Sequence, residues 1–172
     1  MPNQMKYKGF TVHYDKIIDE LIATINILPI LTNDTLSTNN PPIKIEALWD
    51  TGATITCIKP TLWESLKLYP FDAANSIELS GIGGRVSANF SFVNILLSPS
   101  LELEYCKIFV ADFPGSAEVL ICMDVIGLGD FVVCNTDGKT SFSFVMPPFP
   151  DRIDLAKKAE SHWKESSQHG FY

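Results

Sequence analysis

The sequence is short of the features that would point to metal, membrane or nucleic acid. Its four cysteines, at 57, 106, 122 and 134, form no CxxC pair, and their spacing matches no zinc-ligand pattern. The histidines, His13, His162 and His169, stand far from them in the chain, so no metal and no cofactor is expected. No apolar run approaches membrane-spanning length, and the opening MPNQMKYKGF lacks a signal-peptide core. There are 13 basic residues against 20 acidic, a formal net charge of −7, and no Lys/Arg cluster broad enough to track a phosphate backbone. Neither nucleic acid nor a membrane is expected as a partner. The expectation is a cytoplasmic protein with free thiols; one disulfide between distant cysteines is the alternative.

What is present is an ordinary globular composition, 46% hydrophobic and 19% charged over 172 residues, a length that suits one domain with a real core, or one domain plus a tail. Strand signals dominate. GFTVHYD alternates at Phe10, Val12 and Tyr14, and DELIATINILPIL at Leu21, Ala23, Ile25 and Ile27. The second run also fits a helical spacing. Its β-branched residues favour a strand, folded back as a hairpin onto 9–15. TNDTLSTNNPP at 32–42 reads as a loop, and IKIEALW as a strand feeding Asp50. Thr61 with Glu64 has the spacing of a capping box for a short helix that Pro70 ends. SIELSGIGGRVSANFSFVNILLSP reads as two strands around a glycine-rich tip. FVVCNTDGKTSFSFVMP reads as a hairpin turning at Asn135-Thr136-Asp137-Gly138. The end of the chain changes character: Ile153, Ala156, Ala159 and Trp163 fall on one helical face.

The stretch LWDTGATITCI, 48–58, places a carboxylate inside an apolar strand and its turn. A buried carboxylate is costly unless hydrogen bonds reach its oxygens. Gly52 lets the chain turn sharply and bring backbone N–H groups towards Asp50, Thr51 offers a hydroxyl, and Ala53 leaves room. Asp-Thr-Gly by itself is only a turn signal. Here a glycine-rich hairpin, GIGG at 81–84, follows it, and then a second apolar strand ending in a carboxylate, VLICMD. The three signals in that order carry more weight than any one of them.

In that order they resemble the retropepsin-like aspartic proteases, over residues 9 to 146 and most closely the small bacterial members: ALWDTGAT resembles the catalytic turn, GIGG the flap tip, and VLICMD the second apolar motif. The resemblance implies a mainly β, retropepsin-like acid-protease fold. That fold is a closed barrel-like lobe with a flap hairpin and one short helix over 1–146, followed by a helical tail at 147–172. It implies that Asp50 is the catalytic aspartate, within an active-site turn of Thr51, Gly52 and Ala53. Thr51 would bond across a dimer axis, and Gly81, Ile82, Gly83 and Gly84 would form the flap over substrate. Asp124 would cap the short helix. The chain departs from the family at Cys122, where glycine is usual. It also departs from retroviral members at Thr54 and Met123, where an Asp and an Arg pair with each other; both are uncharged here.

An aspartic protease needs two carboxylates around one water, and this chain has one Asp-Thr-Gly and half the length of a two-lobed enzyme. A homodimer follows, each copy supplying one Asp50, with an extended peptide or protein as substrate. Apolar neighbours of the turn and flap, Trp49, Ile82 and Val86, suggest a preference for apolar side chains at the cut. The alternatives are a catalytically idle module that keeps the fold for dimerisation or peptide binding, and, more remotely, a carboxylate metal site.

Overall fold

The computed structural model describes residues 6–30, 41–71, 76–81 and 84–168. Apolar alternation with period two builds its centre. β2 (Ile22–Pro29) and β3 (Ile43–Trp49) run antiparallel and turn Ala23, Ile25, Ile27, Ile45 and Ala47 inward. β7 (Phe90–Ser98) and β8 (Leu101–Val110) form a second antiparallel pair, joined to β2 through β7. Two short strands complete the ring: β4 (Cys57–Ile58) lies between β8 and β9 (Val119–Ile121), and β9 runs parallel to β3. The result is a closed barrel in the order β2-β3-β9-β4-β8-β7. Ile27, Ile58, Val93, Ile95, Val119 and Ile121 are wholly inaccessible inside it. Each such side chain contributes roughly 1.5–3 kcal/mol by leaving water.

The first strand pairs differently from the hairpin expected of it. β1 (Lys8–His13) lies antiparallel to β11 (Ser141–Met146), which also pairs with β10 (Asp130–Cys134), giving a sheet β1-β11-β10. The reason lies in the side chains: β2 needs both of its edges to close the barrel. Phe10 on β1 finds its partners in Trp49, Phe142 and Phe144, at ring-centroid distances of 5.7, 6.0 and 6.3 Å. Trp49 also stacks on Phe131 at 5.5 Å, so these rings weld the terminal sheet to the barrel. Close approach within that sheet needs a glycine: a Cβ on Gly129, just before β10, would overlap the carbonyl oxygen of Val145 on β11. The β10–β11 turn falls at the expected residues, with Asp137 and Gly138 at φ of 52° and 70°.

The glycine-rich segment forms a hairpin, β5 (Ile77–Gly81) and β6 (Gly84–Ala88), whose strands pair from Ile77↔Ala88 to Gly81↔Gly84. The returning strand breaks at Asn89 before β7 begins, where one continuous strand was expected. α1 (Pro60–Ser65) buries Leu62 and Trp63; it opens on Pro60 after Lys59, with no side-chain cap, so Thr61 is not its cap. Proline is preset for a first helical turn and needs no N–H there. α2 (Met123–Ile126) follows β9 directly. α3 (Leu155–Gln168) confirms a helix at the C-terminal end; residues 151–163 are all exposed, including the apolar Ile153 and Trp163.

Candidate active site

β3 ends at Trp49, and the chain leaves the barrel at Asp50, anchored by the Asp50 N–H to the carbonyl of Ile121 at 2.8 Å. The half-buried carboxylate accepts the Gly52 N–H on Oδ1 at 2.8 Å; Oδ2 accepts no hydrogen bond from any described residue. A Cβ on Gly52 would stand 3.1 Å from that Oδ1, tighter than ordinary contact, so any larger residue would push the carboxylate by a few tenths of an ångström. Thr51 and Gly52 are exposed and Ala53 is half-buried. The expected turn, Asp50 to Ala53, is therefore assembled as one unit. Of the residues expected to form a flap, Gly81 and Gly84 pair across the β5–β6 hairpin, while Ile82 and Gly83 lie outside the described residues.

Behind the turn a hydrogen-bonded clamp holds it to α2. The N–H groups of Met123 and Asp124 donate to the carbonyls of Ala53 and Thr54 at 3.0 and 3.1 Å. The Asp124 carboxylate accepts the Thr56 N–H at 2.9 Å, the Thr56 hydroxyl at 2.6 Å and the Val125 N–H at 2.9 Å. The Thr56 oxygen in turn accepts the Cys122 N–H at 3.1 Å. Asp124 thus satisfies one N–H of the first helical turn, but the residue at the cap position is Cys122, and the main task of Asp124 is to lock the 50–56 segment. Thr56, fully buried, was not foreseen as part of the site; nothing local marks it, because its partners lie at 122 and 124.

Cys122 sits in extended backbone, φ −111° and ψ −172°, fully buried. Its position does not demand glycine, so the departure is accommodated without backbone strain. Burial, then the neighbouring Cys57, Asp124 and Asp50, pushes its thiol far above the usual range. Burial, followed by Asp124, likewise raises Cys57 to about 11. All four cysteines are free.

A small apolar cluster adjoins the turn: Cys57, Ala88 of the hairpin root and Phe109 are buried, with Ile55, Phe90 and Phe113 packed against them. Lys59 pins the neighbouring loop, its Nζ donating to Gly115 O at 2.6 Å and its backbone N–H to Glu118 O at 3.0 Å. Trp49, expected beside the cleft, lies in the core at 3% exposure, because the alternation of β3 turns it inward among phenylalanines. Among the described residues no cluster of His, Cys, Asp and Glu could hold a metal ion.

The model of a family described as aspartyl protease matches residues 35–125, the span from before β3 into α2. Among solved structures, the chain is similar to a retropepsin-like aspartic protease from Rickettsia conorii. That match has a TM-score of 0.50 and 13% identity, over 82% of this chain and 96% of the other. It is also similar to EIAV protease complexed with the inhibitor HBY-793, with a TM-score of 0.47 and 22% identity, over 67% of this chain and 92% of that one. No curated protein matches the sequence. With its catalytic-type turn, closed barrel and hairpin in family order, the chain belongs to the aspartyl proteases of retropepsin-like fold.

Proposed function

We propose that the chain is an aspartic endopeptidase that works as a homodimer, with Asp50 contributed once by each copy. The observation that carries this reading is the Asp50 carboxylate itself. One oxygen is oriented by the Gly52 N–H, the other takes no hydrogen bond from a described residue, and the whole turn is braced from behind by Asp124. Two carboxylates brought within about 3 Å share one proton. The ionised one takes a proton from water as the water attacks the peptide carbonyl, and the protonated one gives its proton to the carbonyl oxygen. As the tetrahedral intermediate collapses, the carboxyl that took the proton from water passes it to the departing nitrogen, the other carboxylate recovers a proton from a gem-diol hydroxyl, and acid and amine leave with no acyl-enzyme and no metal. The exposed Thr51 hydroxyl, without a partner among the described residues, is assigned to the contact across the two-fold axis. Gly81 to Gly84 are assigned to the flap, and residues 1–146 to the catalytic unit, with 147–172 as a tail.

Substrate is an extended peptide, with apolar side chains taken beside Ile55 and Phe113. The free thiols fit a reducing compartment, and we place the protein in the cytoplasm. No described helix is long and apolar enough to cross a membrane. Cys122 sits in extended backbone that any residue adopts, which supports the active reading over the idle module. The test is a peptide library incubated with the protein from acidic to neutral pH. Cleavage that a pepstatin-type inhibitor blocks is expected; binding without cleavage at any pH would favour the idle module.

A further inference from the structure

Residues 71 and 90, on either side of the segment that carries the β5–β6 hairpin, meet at one exposed aromatic side chain. Phe71 follows α1 and precedes β5; its N–H donates to Phe90 O at 2.8 Å, and Phe90 is the first residue of β7 after the hairpin returns. The Phe71 ring meets Phe92 edge-on at 4.9 Å and 86°, and lies over Phe90 at 5.8 Å and 30°. Phe90 is itself fixed: its ring is 5.5 Å from Phe109, and the Lys107 ammonium lies 3.9 Å from its centroid. Ala88, at the end of β6, is buried beside Phe109 and Cys57. The returning strand is therefore rooted in the barrel, and Phe71 ties the outgoing chain to that same root. Yet Phe71 is 69% exposed, so its ring adds little to the core.

We infer that Phe71 is a positioning residue: it clips the chain entering β5 onto β7 and sets the angle of the hairpin relative to the Asp50 turn. The inference rests on the peptidase reading, in which the hairpin covers bound substrate. A hairpin hinged on a loose outgoing root would sample more orientations and hold substrate less well, without altering the carboxylates. Two aromatic contacts of ordinary strength correspond to roughly a tenfold effect.

The experiment compares the full-length wild type with Phe71→Ala and Phe71→Tyr by amide hydrogen exchange and by peptide hydrolysis. In Phe71→Ala, exchange of residues 77–81 and 84–88 is expected to speed about tenfold, with β2, β3 and β8 unchanged; KM is expected to rise about tenfold, with kcat within about threefold. Phe71→Tyr should restore both. Unchanged hairpin exchange, equal acceleration throughout the barrel, an unchanged KM or failure of the tyrosine to restore would each overturn the inference. A wild type without peptidase activity would refute the peptidase reading, and the exchange pattern would still decide whether Phe71 is a clip.

Discussion

Thr56 and Asp124, 68 residues apart, are joined twice, backbone N–H to Oδ2 at 2.9 Å and hydroxyl to Oδ1 at 2.6 Å. Charge-assisted bonds of this kind are about twice as strong as neutral ones, and this pair bolts the segment after Asp50 to α2. Asp124→Ala should cost about 2–4 kcal/mol, because it leaves the buried Thr56 donors unpaired. Thr56→Val should cost about 1–3 kcal/mol, and the double variant less than the sum of the two. Urea unfolding of the four proteins checks this; strict additivity would mean that the residues act independently.

Gly52→Ala should leave the fold intact and reduce peptidase activity. The added Cβ would stand 3.1 Å from Asp50 Oδ1, so the carboxylate must shift. A displacement short of an ångström in a reacting group costs about ten- to a hundredfold in rate. Melting temperature and kcat, measured together, check this; full activity would show that the Asp50–Gly52 contact is not used.

The thiols predict both a labelling pattern and an alkaline limit. Cys134 is exposed, while Cys57 and Cys122 are buried and Cys106 half-buried. At neutral pH one thiol per chain should label quickly and three slowly. Burial raises Cys57 and Cys106 from 9.0 to about 11 in the fold. Between those values the unfolded chain has lost protons that the native chain retains, so stability is full below about pH 9 and falls as pH rises towards 11. Unfolding free energy measured from pH 8 to 11 checks the sign; Cys57→Ser with Cys106→Ser should lessen the fall and leave the share that the raised Cys122 thiol contributes.

Cys122→Gly should fold and keep its activity. The backbone there is extended, so glycine relieves no strain; the loss is the buried side chain and added chain freedom, roughly 1–2 kcal/mol. Thermal unfolding checks the magnitude, and an unfolded variant would mean that the thiol is a packing element the site cannot lose.

Much of this arrangement is written locally. The alternation at Ala23, Ile25 and Ile27 and the apolar lead into Asp50 announce a barrel strand and its exit, and Asn135 to Gly138 announce a turn. What is not written locally is partnership. Nothing within GFTVHYD says that β11, at the far end of the chain, will pair with it; that depends on the ring of phenylalanines around Trp49. The orientation of Trp49 follows from strand parity, which its position beside Asp50 obscures. Thr56 gains its role only when Cys122 and Asp124 arrive from β9 and α2.

The central claim is that one active site uses Asp50 from two copies. The direct measurement is peptidase activity in mixtures of wild type and Asp50→Asn at constant total concentration, after subunit exchange. Asparagine keeps the shape and cannot act as the base, so only wild-type pairs should cleave. An equal mixture should then retain about one quarter of the wild-type activity, the fraction of dimers with both carboxylates. Retention of about one half, in proportion to the wild-type chains present, would show that each chain carries a complete site and would contradict the account.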